Sequence, residues 1–380
     1  MLNKSVLILG IETSCDETAV AVIQGASAHG LNSLSHISVL SNVVFSQIAL
    51  HRPYFGVYPE LASRAHLEKI LPVLEKALSE AKITIRQIDV LAVTTGPGLV
   101  GSLLVGVNFA KTLSFVYQKP IVPVNHLEGH IYANFVGKLK IQSSNVKVKI
   151  PEFPAVVLIV SGGHTLLALM KNHLQYKIIG ETLDDAAGEA FDKVAALLGL
   201  NYPGGPEIER AAQESKLKTT FERSSSAAKA DYVNVKTSVQ NLKLPRPMIE
   251  SKDFNFSFSG LKTAVLYLTQ KIDAKKYKPQ IAAEFQQAVV DVLVAKTIKA
   301  AQKFKVKSII LSGGVAANEL LRMTLRKEAA KLNMPFYAPP RPLCTDNAVG
   351  MGVAAHHKLL AKQVKKWYDV DVNANLQLGE

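Results

Sequence analysis

The chain has 380 residues, 48% of them apolar, and 44 Lys and Arg against 31 Asp and Glu give it a formal charge of +13. That length exceeds what one hydrophobic core usually fills, so two lobes are expected, and the apolar fraction excludes a disordered chain. No run approaches the ~20 apolar residues of a membrane span, no secretory signal opens the chain, and two cysteines, Cys15 and Cys344, are too few for a disulfide framework, so a soluble protein without a membrane partner is expected.

The positive charge favours an anionic partner, nucleic acid foremost, because each neutralised phosphate releases counterions. The excess is spread over Lys138, Lys140, Lys147 and Lys149, then Lys296 to Lys307, then Lys358 to Lys366, and any one such run is more often just a solvated face.

In chain order, Val6–Ile11 leads through the polar tip Glu12-Thr-Ser-Cys-Asp-Glu-Thr18 into Ala19–Ile23, the pattern of a β-hairpin. A helix is expected over Pro59–Leu78, and Val90–Thr94 enters the turn Thr95-Gly-Pro-Gly98 ahead of a helix from about Leu99. The same two units return in the second half. Val156–Val160, Ser161-Gly-Gly-His-Thr165 and Leu166–Met170 form a hairpin, and Ser308–Leu311 enters Ser312-Gly-Gly314 and a helix from about Ala317. Between them the spacing predicts helices over Thr182–Leu200, with Thr182 and Asp185 as a capping box, and over Ala283–Phe304. The repetition predicts duplicated α/β lobes facing a shared cleft, with one doubly wound sheet as the competitor. Residues 1–134 would form the first lobe, completed by a C-terminal helix 350–380. Residues 135–349 would form the second, with a flexible surface insertion at about 216–252.

Asn125-His-Leu-Glu-Gly-His130 follows a strand-like run, so Asn125 caps a helix on which His126 and His130 lie one turn apart. That spacing suits one divalent ion, although such a pair is as often a surface accident, and Asp346 at the mouth of the final helix is the candidate third ligand. The pair is not the zinc-protease motif. Leu127 stands where the protease glutamate would, and Glu128 lies about 200° around the helix from His126. His164 reads as a packing or hydrogen-bonding residue.

Glycine turns at 161–163, 204–205 and 312–314, with 95–98, allow backbone amides to approach phosphate or base, and no P-loop or Rossmann signature occurs at any of them. In helix 182–200, Ala187, Phe191, Val194 and Leu198 make the buried stripe, leaving Asp192 on a flank that can face a ligand. Glu209 serves either a ribose hydroxyl or the helix dipole, and Asn318 is either a cap or a nucleotide contact.

Taken in order, these motifs closely resemble the universal threonylcarbamoyladenosine biosynthesis family, once called O-sialoglycoprotein endopeptidases, within the actin, hexokinase and Hsp70 superfamily. The resemblance covers nearly the whole chain. It is carried by Gly10-Ile-Glu-Thr-Ser-Cys-Asp-Glu-Thr18, Pro59-Glu-Leu-Ala-Ser-Arg64, Thr95-Gly-Pro-Gly98, His126-Leu-Glu-Gly-His130, Val160-Ser-Gly-Gly-His-Thr165, Asp185-Ala-Ala-Gly-Glu-Ala-Phe-Asp-Lys193, Pro203-Gly-Gly-Pro206, Phe256-Ser-Phe-Ser-Gly-Leu-Lys262 and Ser312-Gly-Gly-Val-Ala-Ala-Asn318.

The resemblance implies two actin-like lobes around a nucleotide and metal cleft. It makes His126, His130 and Asp346 the ligands of one divalent ion, zinc or iron, through which catalysis runs. The backbone of Ile159, Val160, Ser161, Gly162 and Gly163 would meet the phosphate and acyl portion, and Asp192, Gly205, Glu209 and Asn318 the adenosine. The implied reaction moves a threonylcarbamoyl group from threonylcarbamoyl-AMP, made by a separate synthase, to the adenosine beside the anticodon of tRNAs reading codons that begin with A. Adenine nucleotide is then substrate and product. Ile159 and His164 place the chain on the bacterial and organellar branch. The insertion and basic balance point to a mitochondrial homodimer lacking its transit peptide, with the bacterial cytoplasm as the alternative. Competing functions are an ATP-hydrolysing kinase or chaperone-like relative and a non-enzymatic nucleic-acid-binding scaffold.

Overall fold

The computed structural model describes residues 5–25, 37–136, 138–139, 150–225 and 242–380, with the side chains of 138–139 and 216–225 set aside. Two sheets organise the chain. The first contains β1 (Val6–Glu12), β2 (Glu17–Gly25), β3 (Ser38–Ser46), β4 (Val90–Gly96), β5 (Ile121–Asn125) and β6 (Lys138–Leu139), in the order β5-β4-β1-β2-β3-β6. The second contains β7 (Ala155–Val160), β8 (Thr165–Asn172), β9 (Gln175–Glu181), β10 (Ser308–Ser312) and β11 (Phe336–Tyr337), in the order β11-β10-β7-β8-β9. Apart from β6 the two orders trace one path: an antiparallel three-strand meander, with two parallel strands added beyond its first member. The duplicated lobes expected from the sequence are present, and the single doubly wound sheet is not.

Strand alternation sends the two faces of each sheet into different cores. Leu9, Ile11, Val20 and Val22 pack under α1 (Pro59–Ala81) and α2 (Val100–Tyr117), through Ile70, Val73, Leu74, Val107 and Ala110. Their neighbours Ile8, Ala19, Ala21 and Ile23 turn the other way. They meet α3 (His126–Tyr132), α9 (Ala348–Leu360) and one face of the second sheet, including Val157, Ile159 and Ala168, in a core shared by both lobes. The far face of the second sheet, Val156, Leu158 and Val160, is covered by α4 (Ala187–Leu197), α5 (Gly204–Ser225), α6 (Ser259–Lys271), α7 (Ala274–Phe304) and α8 (Glu319–Lys331). Among the described residues α2 is long and apolar enough to cross a membrane by length and composition, but it buries Leu103, Val107 and Ala110 against the first sheet.

Several boundaries differ from expectation, some through tertiary contacts and one through a local cap. The helix placed at 182–200 starts only at Ala187, because Glu181 and Leu183 bond to Phe256 and Thr182 Oγ1 donates to the Asp185 carbonyl, so Thr182 and Asp185 do not form the expected capping box. Asp184 instead accepts from Phe258 N at 2.8 Å and Ser259 N at 3.3 Å, at the start of α6. Helix α7 begins at Ala274, where Asp273 accepts from Lys275 N and Lys276 N. The C-terminal helix 350–380 ends at Leu360, and the tail folds back onto the first sheet, with Lys365 pairing Ile121 and Asn373 N bonding Thr95 O. Strand β6 joins the first sheet, which carries that lobe past residue 134.

The insertion is anchored on both sides. Residues 216–225 continue α5, while Leu244 is buried and Arg246 pairs with Glu284 and Asp291 of α7. Residues 226–241 lie outside the described residues.

Glycines set the spacing of the shared core. A Cβ on Gly350 of α9 would stand 2.0 Å from Gly129 O of α3, and one on Gly10 of β1 would stand 2.3 Å from Ala348 O. Gly350→Ala is expected to cost about 1–3 kcal/mol or more, read from chemical denaturation midpoints, because it overpacks backbone that has no rotamer to relax.

Candidate active site

The first lobe delivers its polar groups at strand ends. Strand β1 finishes on Glu12, which is fully buried, and β5 runs into α3, whose first residue is His126. Asn125 caps that helix as expected, accepting from Leu127 N at 2.9 Å. The cap aims His126 Nδ1 at Glu12 Oε2, 3.1 Å away, with Ser14 Oγ at 3.0 Å. Glu12 is itself held by Ser14 N at 2.5 Å and Thr94 Oγ1 at 2.7 Å. One turn along α3, His130 places its ring 4.6 Å from that of His126. Asp346, two residues ahead of α9, completes the group: its Oδ1 lies 3.6 Å from His126 Nε2 and 3.3 Å from His130 Nε2. The three residues singled out from sequence therefore converge, with ligand atoms within 4.8 Å of one another.

Charge in this cluster is balanced pairwise. Burial works against a charged His126, yet Asp346 and Glu12 raise its imidazole to about 9. Burial likewise opposes ionisation of Asp346, and His126 and His130 draw it down to about 2. Against the same penalty His126 holds the Glu12 carboxyl below its ordinary value. His164 faces this group without joining the triad. Burial, then the imidazoles of His126 and His130, lower it to about 4, so it stays neutral.

Glu128 points elsewhere, to Lys358 at 2.8 Å in a nearly buried pair, which removes it from any protease-like role.

The β1–β2 tip carries functional groups that spacing alone did not single out. Cys15, Asp16 and Asp346 also place ligand atoms within 4.8 Å of one another. Burial, then Asp16 and Asp346, push Glu17 up to about 10 and the Cys15 thiol well above its ordinary value, so both are protonated at neutral pH. The signal was a tip with four ionisable residues inside seven, denser than a hairpin turn needs. Cys344 is buried and receives Arg322 Nη2 at 3.1 Å.

On the second lobe the expected residues divide. Ile159 and Val160 lie fully buried in the ladder, paired with Leu166 and Thr165, and Ser161 N donates to His164 O. Gly162 and Gly163 are exposed at the tip with open space around them. Asp192 accepts from Gly204 N at 2.6 Å, while Gly205 stands open at the start of α5. Asn318 is a cap, accepting from Leu321 N at 3.0 Å and donating to Gln286 Oε1, and Glu209 Oε1 accepts from Glu319 N at 2.9 Å. The turn 95–98 is not an open nucleotide turn, because the C-terminal tail covers it: Gly98 N donates to Ala374 O, and Asn373 O fills the space beside Gly96.

Two basic residues from the expected charge runs are also internal. Lys296 is 1% exposed and bonded to Ser251 Oγ, and Lys358 is paired as above. Lys140, Lys147 and Lys149 fall outside the described residues, as does the side chain of Lys138.

Two sheets of one strand order, meeting over a shared core, define an α/β protein of the actin-like ATPase fold. Full-length HypF in its phosphate- and nucleotide-bound form shares that fold at a TM-score of 0.52, with 15% identity, over 93% of this chain and 46% of that one. The family model described as tRNA N6-adenosine threonylcarbamoyltransferase matches residues 38–352. The enzyme of that name from Syntrophomonas wolfei is 46% identical over 359 residues, 94% of each chain. That from Bacillus subtilis is 44% identical over 380 residues, 99% of this chain and 97% of the relative. The chain belongs to the tRNA N6-adenosine threonylcarbamoyltransferase family.

Burial raises the Asp192 carboxyl to about 6, against the Gly204 hydrogen bond. A raised folded value means stability is fully present below the unfolded carboxylate range and is lost as pH climbs through about 6. Asp192→Asn, which keeps the acceptor, is expected to abolish that decline between about pH 4 and 6, a difference on the order of 2–3 kcal/mol in pH-dependent denaturation.

Proposed function

We propose that this chain transfers a threonylcarbamoyl group from threonylcarbamoyl-AMP to N6 of the adenosine beside the anticodon of tRNAs reading codons that begin with A, at the cluster of His126, His130 and Asp346. Family membership supports the reaction. The convergence of three ligand atoms from two separate elements, α3 and the loop before α9, is the observation that carries the site.

The residues fit a divalent ion. With Nδ1–H donating to Glu12, His126 would offer the lone pair of Nε2 to an ion on giving up the Nε2 proton, and the acid behind the ring fixes its tautomer and raises its basicity. His130 Nε2 is buried without a hydrogen-bonding partner, its 3.3 Å approach to Asp346 lacking the required geometry. Two imidazoles and a carboxylate accept zinc or iron. An ion held there would supply Lewis-acid polarisation of the donor's carbamoyl carbonyl.

The remaining chemistry belongs to the chain. As the N6 amine bonds to the carbamoyl carbon, the bond from that carbon to the AMP oxygen breaks and N6 loses a proton. Exposed Gly162 and Gly163 let the phosphate and acyl portion approach the Ile159–Gly163 turn closely, with backbone amides and no side chain in the way. Gly205 at the open start of α5, with Asp192, Glu209 and Asn318 behind it, forms the adenosine wall. Protonated Glu17 spares the anionic donor one negative charge beside Asp16.

The relatives reported above are bacterial, which favours the bacterial cytoplasm and gives the mitochondrial reading no support. A separate synthase supplies the donor. For the homodimer, the supporting surface is the outer face of α1 and α2, where Leu67 (71%) and Leu104 (40%) line a shallow cavity of about 330 Å³ and Leu71 (52%) is also exposed. Leu67→Glu with Leu104→Glu is expected to leave a monomer by light scattering where the native chain sediments as a dimer.

The direct test mixes purified chain, threonylcarbamoyl-AMP and unmodified tRNA, and reads the modified nucleoside by mass spectrometry. Native chain is expected to form product, and chelation or His126→Ala to reduce it roughly 100-fold or more. Product formation indifferent to both would remove the metal from the reading. Separately, Glu12→Gln is expected to weaken zinc binding about 10- to 100-fold in competition with a chromophoric chelator, independent of turnover.

A further inference from the structure

Between β3 and α1 the chain makes a short loop, His51-Arg-Pro-Tyr-Phe-Gly-Val-Tyr58, on which three aromatic rings stand out: Tyr54 is 55% exposed, Phe55 58% and Tyr58 45%. Exposing three large rings in five residues forgoes burial worth on the order of 2 kcal/mol each. Phe55 adds backbone strain, since it holds φ +53° and ψ +30°, the left-handed region that a bulky side chain disfavours. Gly56 follows directly, so a glycine was one position away from relieving it.

The loop is nonetheless held firmly. His51 is fully buried and ties both ends, its Nδ1 accepting from Tyr58 N at 3.3 Å and its Nε2 bonded to Gln47 Oε1 at 3.0 Å. Phe55 N closes the turn on Arg52 O at 3.2 Å, and the rings of Tyr54 and Tyr58 lie 5.4 Å apart at 39°. The rings are thus presented on a prepared support.

Position and charge say what they meet. Arg52 Nε donates to Tyr202 O across the cleft, one residue before the 203–206 turn, and Tyr202 lies within the field of Asp16 and Asp192. The loop therefore borders the candidate active site. Residues 51–58 contain one arginine and no acid. The face differs from the aliphatic one on α1 and α2, whose leucines suit packing against another protein.

We propose that Tyr54, Phe55 and Tyr58 form a stacking platform for unpaired bases of the RNA substrate next to the target adenosine. The proposal rests on the tRNA reading above and names the part of the RNA concerned: single-stranded anticodon-loop bases, which offer π-faces, beside backbone phosphates that Arg52 can meet.

The test is binding of a fluorescently labelled tRNA anticodon stem-loop by anisotropy at fixed salt. Tyr54→Ala and Phe55→Ala are each expected to weaken binding roughly 5- to 100-fold, the range that one stacked base is worth. Tyr54→Phe, which keeps the ring, is expected to restore native affinity. Phe55→Gly, which suits the left-handed backbone, is expected to melt no lower than the native chain while losing the same affinity, and this separates binding from folding. If native chain binds the stem-loop and the alanine variants bind equally well, the platform is refuted and the tRNA reading stands. A change of oligomeric state in the variants with RNA affinity intact would make the rings a protein interface and also refute it. If native chain does not bind the stem-loop at all, the tRNA reading fails and the platform with it.

Discussion

Everything at the candidate site depends on two helices touching backbone to backbone. Helix α3 carries His126 and His130, and α9 follows Asp346 by two residues. A Cβ at Gly350 would meet the Gly129 carbonyl and force the helices apart, widening the 3.3–3.6 Å gaps between the carboxylate and the imidazoles. The Glu128–Lys358 pair ties the same helices again, from beside Gly129 on α3 to about two turns beyond Gly350 on α9. Stripping one partner from so buried a pair would leave an uncompensated charge, so the pair and the glycines both resist separation.

That constraint explains why so much charge is tolerated inside the molecule. Glu12, the His126/His130 turn and Asp346 come from three places in sequence to one buried point, where each acid lies against an imidazole. Where no cation is available, the fold answers by protonation instead. Glu17, beside Asp16 and Asp346, stays neutral for that reason. A bound divalent cation would relieve the same surplus of acid, so site and ion are electrostatically complementary before any substrate arrives.

Local pattern carried the repeated architecture because each hairpin and each strand-to-helix turn is bounded by its own residues. The His126/His130 spacing was readable for the same reason, being a property of one helical turn. What was not legible depended on partners distant in sequence. Residues 182–186 read as helix until Phe256 claims the backbone at Leu183. The turn 95–98 looks like its counterparts until the tail 373–376 lies on it. Asn318 could be read as cap or contact, and only Leu321 and Gln286 decide. Lys296 and Lys358 look like solvated charges in a basic run, and burial beside acceptors makes them struts.

The two lobes share a strand order yet have diverged where it matters. At the first hairpin tip the fold places Glu12, Cys15, Asp16 and Glu17, and at the second it places Gly162 and Gly163. One tip concentrates acid next to imidazole, which suits holding a cation. The other strips away side chains, which suits admitting an anion to backbone amides. Since β1 and β7 occupy equivalent places in their sheets, duplication brings the two tips to corresponding ends of a shared core, and their opposite chemistries become complementary. A donor with an anionic phosphate and a polarisable carbonyl needs both surfaces at once. Neither lobe supplies them alone, so the common core that binds the lobes together is as much a requirement of the chemistry as the residues that perform it.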